Sequence, residues 1–262
     1  MAVNMTPQGI LSLPVQQVAA AQQLGAFSKT YKTTIVKTVV GSSAFLVGGV
    51  AFFIGSIAGS IVILMVFALS FLAMAIYMIY NALQVVNQNI HLFQYGMVIE
   101  HKNQLQAFPW NQANEVMQSI TRNYRNGIYV GTTYFYTLRR ADGYQIKLNN
   151  LTKDIAELGQ AVAKGITQAL VPRALSSLSA GQTLTFAPFN INLQGISNKH
   201  EFIPWTQVQA VDVKKGYVQI KKTGTSRTWG NVPVAKIPNY LVLTVIAEEM
   251  RRQAVGRGHT GL

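Results

Sequence analysis

The sequence predicts an α+β integral membrane protein: a two-helix transmembrane hairpin followed by two small β-barrel or sheet domains, each closed by a C-terminal helix. Three observations predict it. Residues 38 to 99 carry no Lys, Arg, Asp or Glu, and the first two thirds of that block are almost wholly apolar. The chain after the block breaks into short alternating segments typical of strands. Within that part, a nine-residue stretch recurs without gaps, the signature of an internal repeat. Composition agrees, since only 12% of the 262 residues are charged, about half the share of an average globular domain. The chain has no cysteine, which excludes a disulfide framework, a Cys-based zinc site and a thiol nucleophile.

The elements follow in chain order. Residues 1 to 37 read as an N-terminal cytoplasmic tail. Its first 28 residues are uncharged and rich in Gln, Ala, Val and Ser and read as partly disordered, as termini usually are, with a short surface helix over Val15 to Leu24 as the alternative. Residues 38 to 80 are 43 in number, and a helix needs about 20 apolar residues to cross a bilayer, so two crossings and a tight turn are expected. The small residues of Gly55-Ser56-Ile57-Ala58-Gly59-Ser60 place the turn. Helix one is then about 38 to 57 and helix two about 60 to 80, ending with Tyr77 and Tyr80 at headgroup depth. More than 30 residues precede the apolar block, which fits a retained span rather than a cleaved signal peptide.

Lys29, Lys32 and Lys37 precede helix one, while the turn has no Lys or Arg. The positive-inside rule therefore puts both termini in the cytoplasm and the protein in the inner membrane. Gly41, Gly48 and Gly55 recur every seven residues, and Gly59 follows at the small-xxx-small spacing that lets helix backbones approach closely. This glycine face serves either to pack helix one on helix two or to join protomers. With no charge inside either helix a transporter is disfavoured, although an oligomer could enclose a pore lined by Ser42, Ser43, Ser56 and Ser60.

Residues 81 to 170 and 184 to 255 form the two domains. Phe108-Pro109-Trp110-Asn111-Gln112 aligns onto Ile203-Pro204-Trp205-Thr206-Gln207. Upstream, Tyr95-Gly96-Met97-Val98 matches Gln194-Gly195-Ile196-Ser197, and each is followed by a polar turn holding Lys102 or Lys199. Asp142-Gly143 marks a further hairpin. The first copy ends in a helix from Asp154 to Leu170, with Ile155, Leu158, Val162 and Ile166 at helical spacing. The second ends in a helix from Tyr240 to about Gln253, with Asn239 as its N-cap. Residues 171 to 183 read as a Ser- and Ala-rich linker, and 256 to 262 as a disordered tail.

A Gly-apolar strand, a polar hairpin, a Pro-Trp segment and a closing helix resemble the bacterial pleckstrin-homology-like (PH-like) domains of small membrane-anchored proteins. The stretch from Gly195-Ile196 through Ile203-Pro204-Trp205 to Ile237-Pro238-Asn239 looks like the C-terminal half of uncharacterised bacterial two-helix membrane proteins. The resemblance implies tandem PH-like domains over roughly residues 90 to 255. The sequence departs from it in lacking the tryptophan of the closing helix and the dense Lys/Arg motif that grips phosphoinositides in eukaryotic PH domains.

Candidate sites follow from the charges. Lys214, Lys215, Lys221, Lys222 and Arg227 cluster within fourteen residues, and Arg122 and Arg125 flank Tyr124. Such basic loops would meet anionic headgroups or a protein partner at the bilayer surface, or else reflect only the general positive-inside bias. Trp110 and Trp205 are read as the repeat core, each filling the end of a small barrel, with stacking on a ligand as the alternative. The net charge is +13, yet no helix-turn-helix, zinc-finger or RNP-like pattern accompanies it, which disfavours nucleic acid. The four histidines are scattered and no metal-ligand spacing, P-loop or nucleophile elbow occurs. No cofactor, metal or catalytic residue is therefore expected. The expected function is that of a non-enzymatic, membrane-anchored interaction or scaffold protein, and its alternative a homo-oligomeric membrane assembly or pore.

Overall fold

The computed structural model describes residues 11–34, 36–59, 62–83, 88–102, 104–225 and 227–259. Two long apolar helices, α2 (Val36–Gly59) and α3 (Val62–Leu83), stand in a mixed α+β fold of small antiparallel sheets. Both are long and apolar enough to cross a membrane, and only 17% and 11% of their apolar windows are buried. A core helix of a soluble protein of the same composition would be mostly buried. They pack along each other, with the Phe52 ring 5.4 Å from Phe71 and 6.0 Å from Phe67. Helix α2 runs through the expected turn as far as Gly59, because a Gly-Ser-Ala run has no residue that must leave the helix.

The first strand precedes the apolar helices. Strand β1 (Phe27–Lys32) pairs antiparallel with β2 (Asn89–Phe93), Tyr31 opposite Ile90 and Lys32 opposite Asn89. Strands β3 (Gly96–His101) and β4 (Gln104–Pro109) complete a four-stranded meander. The segment expected as a tail is thus part of the first sheet, and α2 and α3 are inserted between two of its neighbouring strands. Only Tyr31 of β1 reaches the core, at 3% exposure, so the strand has almost no apolar alternation to announce it. Helix α1 (Leu13–Ala21) covers the other face of the sheet, setting Val15 and Ala19 against Phe93 and Val98.

A second meander packs across the first: β5 (Ala113–Arg125), β6 (Ile128–Arg140) and β7 (Gln145–Asn149). Helix α4 (Ile155–Ser179) closes this unit. Ile155, Leu158, Val162 and Ile166 enter one core with Met97, Phe108, Trp110 and Leu138. The second unit repeats the plan. Strands β8 (Leu184–Phe186), β9 (Phe189–Ile191), β10 (Gly195–Ser197) and β11 (Phe202–Pro204) form one sheet. Strands β12 (Val208–Lys214), β13 (Tyr217–Lys222) and β14 (Thr228–Pro233) form the other, and α5 (Tyr240–His259) closes it.

Helix α4 also corrects the expected linker. It continues through Pro172 to Ser179, so its first half serves the first core while Leu178, with Leu170, Val171, Ala174 and Leu175, serves the second. An internal proline costs a helix about 3 kcal/mol; here the two halves are held by separate cores, which offsets that cost. The expected tail likewise begins as helix, since α5 extends to His259.

Asn239 differs from its expected role. It sits at φ 53°, and its side chain joins the two units instead of capping α5. Its Oδ1 accepts from the Val116 N–H at 2.9 Å, its Nδ2 donates to the Asn114 carbonyl at 2.8 Å, and its own N–H donates to the Val116 carbonyl at 2.9 Å.

Candidate functional site: a basic groove between the units

Above that clasp lies a groove of about 700 Å³. Gln118, Ile120 and Arg122 of β5 form one wall, since alternate residues of a strand point to one face. Lys215 and Gly216 of the β12–β13 turn face them, with Tyr240 at the floor. The turn is held in shape: Lys215 and Gly216 both adopt positive φ, 51° and 80°, and the Gly216 carbonyl accepts from the Val234 N–H at 2.9 Å. The Tyr240 hydroxyl donates to Gln118 Oε1 at 3.4 Å, and burial raises its pKa above the ordinary phenol value, so it stays a neutral donor.

Arg122 and Lys215 are the charged residues of this lining, both are positive, and neither makes an ion pair with another described residue. A guanidinium and an ammonium without counter-charge, beside a neutral hydroxyl and an amide, can hold a phosphate or carboxylate by charge-assisted hydrogen bonds.

The other basic residues lie apart from it. Arg125 is exposed at the tip of the β5–β6 hairpin. Lys214 is 3.9 Å from Asp212. Lys222 donates to Glu201 at 2.8 Å, and Glu201 also accepts the Trp229 indole N–H at 2.7 Å. Lys222, and secondarily Trp229, hold the Glu201 carboxyl below its usual range, so this lysine is already neutralised. Lys221 is half-buried on β13 and Arg227 is exposed beside β14. Of the seven basic residues, the structure therefore brings Arg122 and Lys215 together from different units. Sequence alternation alone could place Gln118, Ile120 and Arg122 on one face; only the docking of the units supplies Lys215.

The two tryptophans occupy equivalent corners. Gly96 is opposite Pro109 and Gly195 opposite Pro204, and each proline leads into a 3-10 turn that starts with the tryptophan. Trp110 is 3% and Trp205 2% exposed. Their backbone N–H groups donate to the residue before the glycine, Tyr95 or Gln194. Their indoles donate to the Gln94 carbonyl at 3.2 Å and the Asn192 carbonyl at 3.0 Å. Glycine is required here by close approach: a β-carbon on Gly96 would lie 2.6 Å from Leu24 and 2.8 Å from the Phe108 carbonyl oxygen.

The glycine face of α2 is taken up within the hairpin. A β-carbon on Gly48 would lie 3.1 Å from Phe71, and one on Gly55 3.7 Å from Leu64. Gly59 ends the helix, exposed, and the surroundings of Gly41 lie outside the described residues. Among the described residues no group of three or more His, Cys, Asp or Glu could hold a metal. His91 of the first sheet is buried, 2.9 Å from Thr30 Oγ1 and 3.4 Å from Glu100; burial lowers its pKa.

No curated protein and no solved structure matches the chain. The sequence profile described as "Family of unknown function (DUF6585)" matches residues 4–255, from the segment before α1 through the apolar helices to α5. The chain thus belongs to this family of unknown function.

Proposed function

We propose that this protein is a non-enzymatic interaction module anchored in the inner membrane, holding two PH-like units at the cytoplasmic surface and binding an anionic lipid headgroup between Arg122 and Lys215. The observation that carries the proposal is the insertion of α2 and α3 between paired strands. Lys32 and Asn89 are opposite one another, so the two strand ends that lead to and from the apolar helices are held together, which supports a first unit kept close to the bilayer. Sheets of four and three strands closed by a C-terminal helix, found twice, support the PH-like reading. Lys29, Lys32 and Lys37 near the membrane end support the cytoplasmic side. Gly48 and Gly55 of the glycine face meet Phe71 and Leu64 of α3, which supports packing within the hairpin over the oligomer and pore reading.

The test is lipid selection by the full-length protein. Reconstituted into mixed vesicles and re-extracted, it should retain anionic over neutral lipid, and less so at high salt. R122Q/K215Q should weaken that preference by about 2 kcal/mol, since each basic residue near the surface contributes about 1 kcal/mol. Equal retention of both lipid classes, or a preference indifferent to the double substitution, would leave a protein as the partner.

A further inference from the structure

Strands β5 and β6 continue far beyond β7. The last β6–β7 pair is Phe135 with Asn149, whereas β5 and β6 stay paired as far as Arg125 and Ile128. At about 3.3 Å per residue the two-stranded ribbon overhangs the sheet by about 20 Å. It overhangs on the side from which the apolar helices depart. Just past β7, Leu151 and Lys153 bond the end of β1: Thr34 N–H donates to Leu151 and Lys153 N–H to Lys32. The next described residue after Thr34 is Val36, the start of α2.

The tip exposes apolar side chains on both faces, with Arg125 beside Ile128 on one of them. Ile128 is 70% exposed, and Tyr124, Tyr129 and Val130 are each more than half exposed. Tyr124 and Tyr129 meet edge to face at 5.9 Å. No Asp or Glu occurs between Glu115 and Asp142, while Arg122 and Arg125 flank the tip. Asn126 and Gly127 close it at φ 51° and 78°, the geometry that two-residue hairpin loops require, so this is a built turn. In water such a tip is a liability. Tyrosines with aliphatic neighbours, Arg122 behind them and Arg125 opposite Ile128 at the last pair, where its long stem can reach back to the headgroups, suit the headgroup and upper acyl region of a bilayer.

We infer that the β5–β6 tip dips into the membrane interface, with Ile128 and Val130 among the upper acyl chains and Tyr124 and Tyr129 at headgroup level. This rests on α2 and α3 spanning that same membrane. A second copy adding strands to the ribbon is disfavoured by the register shift at Asn123/Tyr124, because a bulge twists an edge away from further pairing. The insertion fixes a second point of contact besides the spans. It holds Arg122, three residues before Arg125, at headgroup height, so the groove opens where an anionic headgroup lies.

The chain has no cysteine, so single-cysteine variants of the full-length protein can each carry one fluorophore in vesicles. L69C in α3 reports the span, I128C the tip, and A141C the opposite end of β6. L69C should be quenched by nitroxide-labelled lipid. I128C should be quenched too, more by shallow than by deep nitroxides, and shielded from aqueous iodide, while A141C is quenched by iodide alone. If L69C responds and I128C is as open to iodide as A141C, the insertion is wrong and the spans stand. If L69C is not quenched by lipid, the membrane reading itself fails and takes this inference with it. Shielding of I128C from iodide and lipid alike, relieved on dilution into excess lipid, assigns the tip to a second copy and overturns the inference.

Discussion

Trp110 and Trp205 illustrate how a residue type is dictated by its corner. A strand pair must end and the chain must turn into the second sheet. Proline ends the ladder because it has no N–H, glycine opposite it leaves room for the close approach, and an indole fills the resulting space while its N–H finds a carbonyl. The same three residues solve the same problem twice, with Gly165 of α4 against the Trp110 ring in the first unit. Trp110→Ala and Trp205→Ala should each cost about 3 to 5 kcal/mol, the usual cost of emptying a packed aromatic site, read as a lower denaturation midpoint by circular dichroism. A cost near zero at either position would mean that the indole serves something other than packing. The repeat was legible in sequence because all three residues are chemically unusual. Tyr31, the one β1 residue in the core, is ordinary, and gives its strand no signal in the sequence.

Among the elements, β1 changes the architecture most. It is joined to β2 by hydrogen-bond pairing and to α4 through Lys29, which donates to Glu157 at 2.6 Å, while the Tyr31 hydroxyl donates to the same carboxylate at 3.0 Å. Lys29 first, then Tyr31, hold the Glu157 carboxyl below its usual range. Since Lys32 and Asn89 are opposite one another and the Thr33 N–H donates to the Gln88 carbonyl at 3.0 Å, a two-residue turn can replace residues 35 to 87. That variant should fold as a water-soluble protein with both units intact, seen as a dispersed amide NMR spectrum. Starting the chain at residue 90 with β1 deleted should not, because Tyr31 would leave the first core open. A well-folded fragment without β1 would refute the role given to this strand.

For the whole molecule, helix α4, shared between the cores, the Asn239 clasp on β5 and the Tyr240–Gln118 hydrogen bond hold the units together. The clasp lies beside the groove, so it sets the distance between Arg122 and Lys215. Asn239→Ala would remove a part-buried bond to the Val116 N–H and an exposed one to the Asn114 carbonyl, at a cost of about 0.5 to 1.5 kcal/mol each. Each unit should survive, since its own core is untouched. The distance distribution between spin labels at cysteines placed in the two units should broaden, and anionic-lipid preference should fall with it. An unchanged distribution would mean that the Asn239 side chain does not set the spacing. The strands that flank the apolar helices in sequence, β1 and β2, pair with each other, so the chain leaves for α2 and returns from α3 at one end of the same strand pair.

The sequence by itself determined the periodic and the repeated: two apolar helices, the Gly-Pro-Trp corners and the buried stripe of α4. These are legible because helical spacing, an uncharged run and a repeated Pro-Trp-x-Gln segment are local properties of the chain. The Asn126-Gly127 hairpin was legible in principle, since Asn-Gly between Tyr124 and Ile128 is a strong two-residue turn signal. Tertiary structure alone decided the rest. Strand β1 exists because β2 offers it an edge across the inserted helices, α4 outlasts Pro172 because a second core receives its far half, and Asn239 turns from a cap into a clasp. Arg122 and Lys215 become one site only when two units dock, for contacts between residues 93 positions apart leave no trace in the spacing of either.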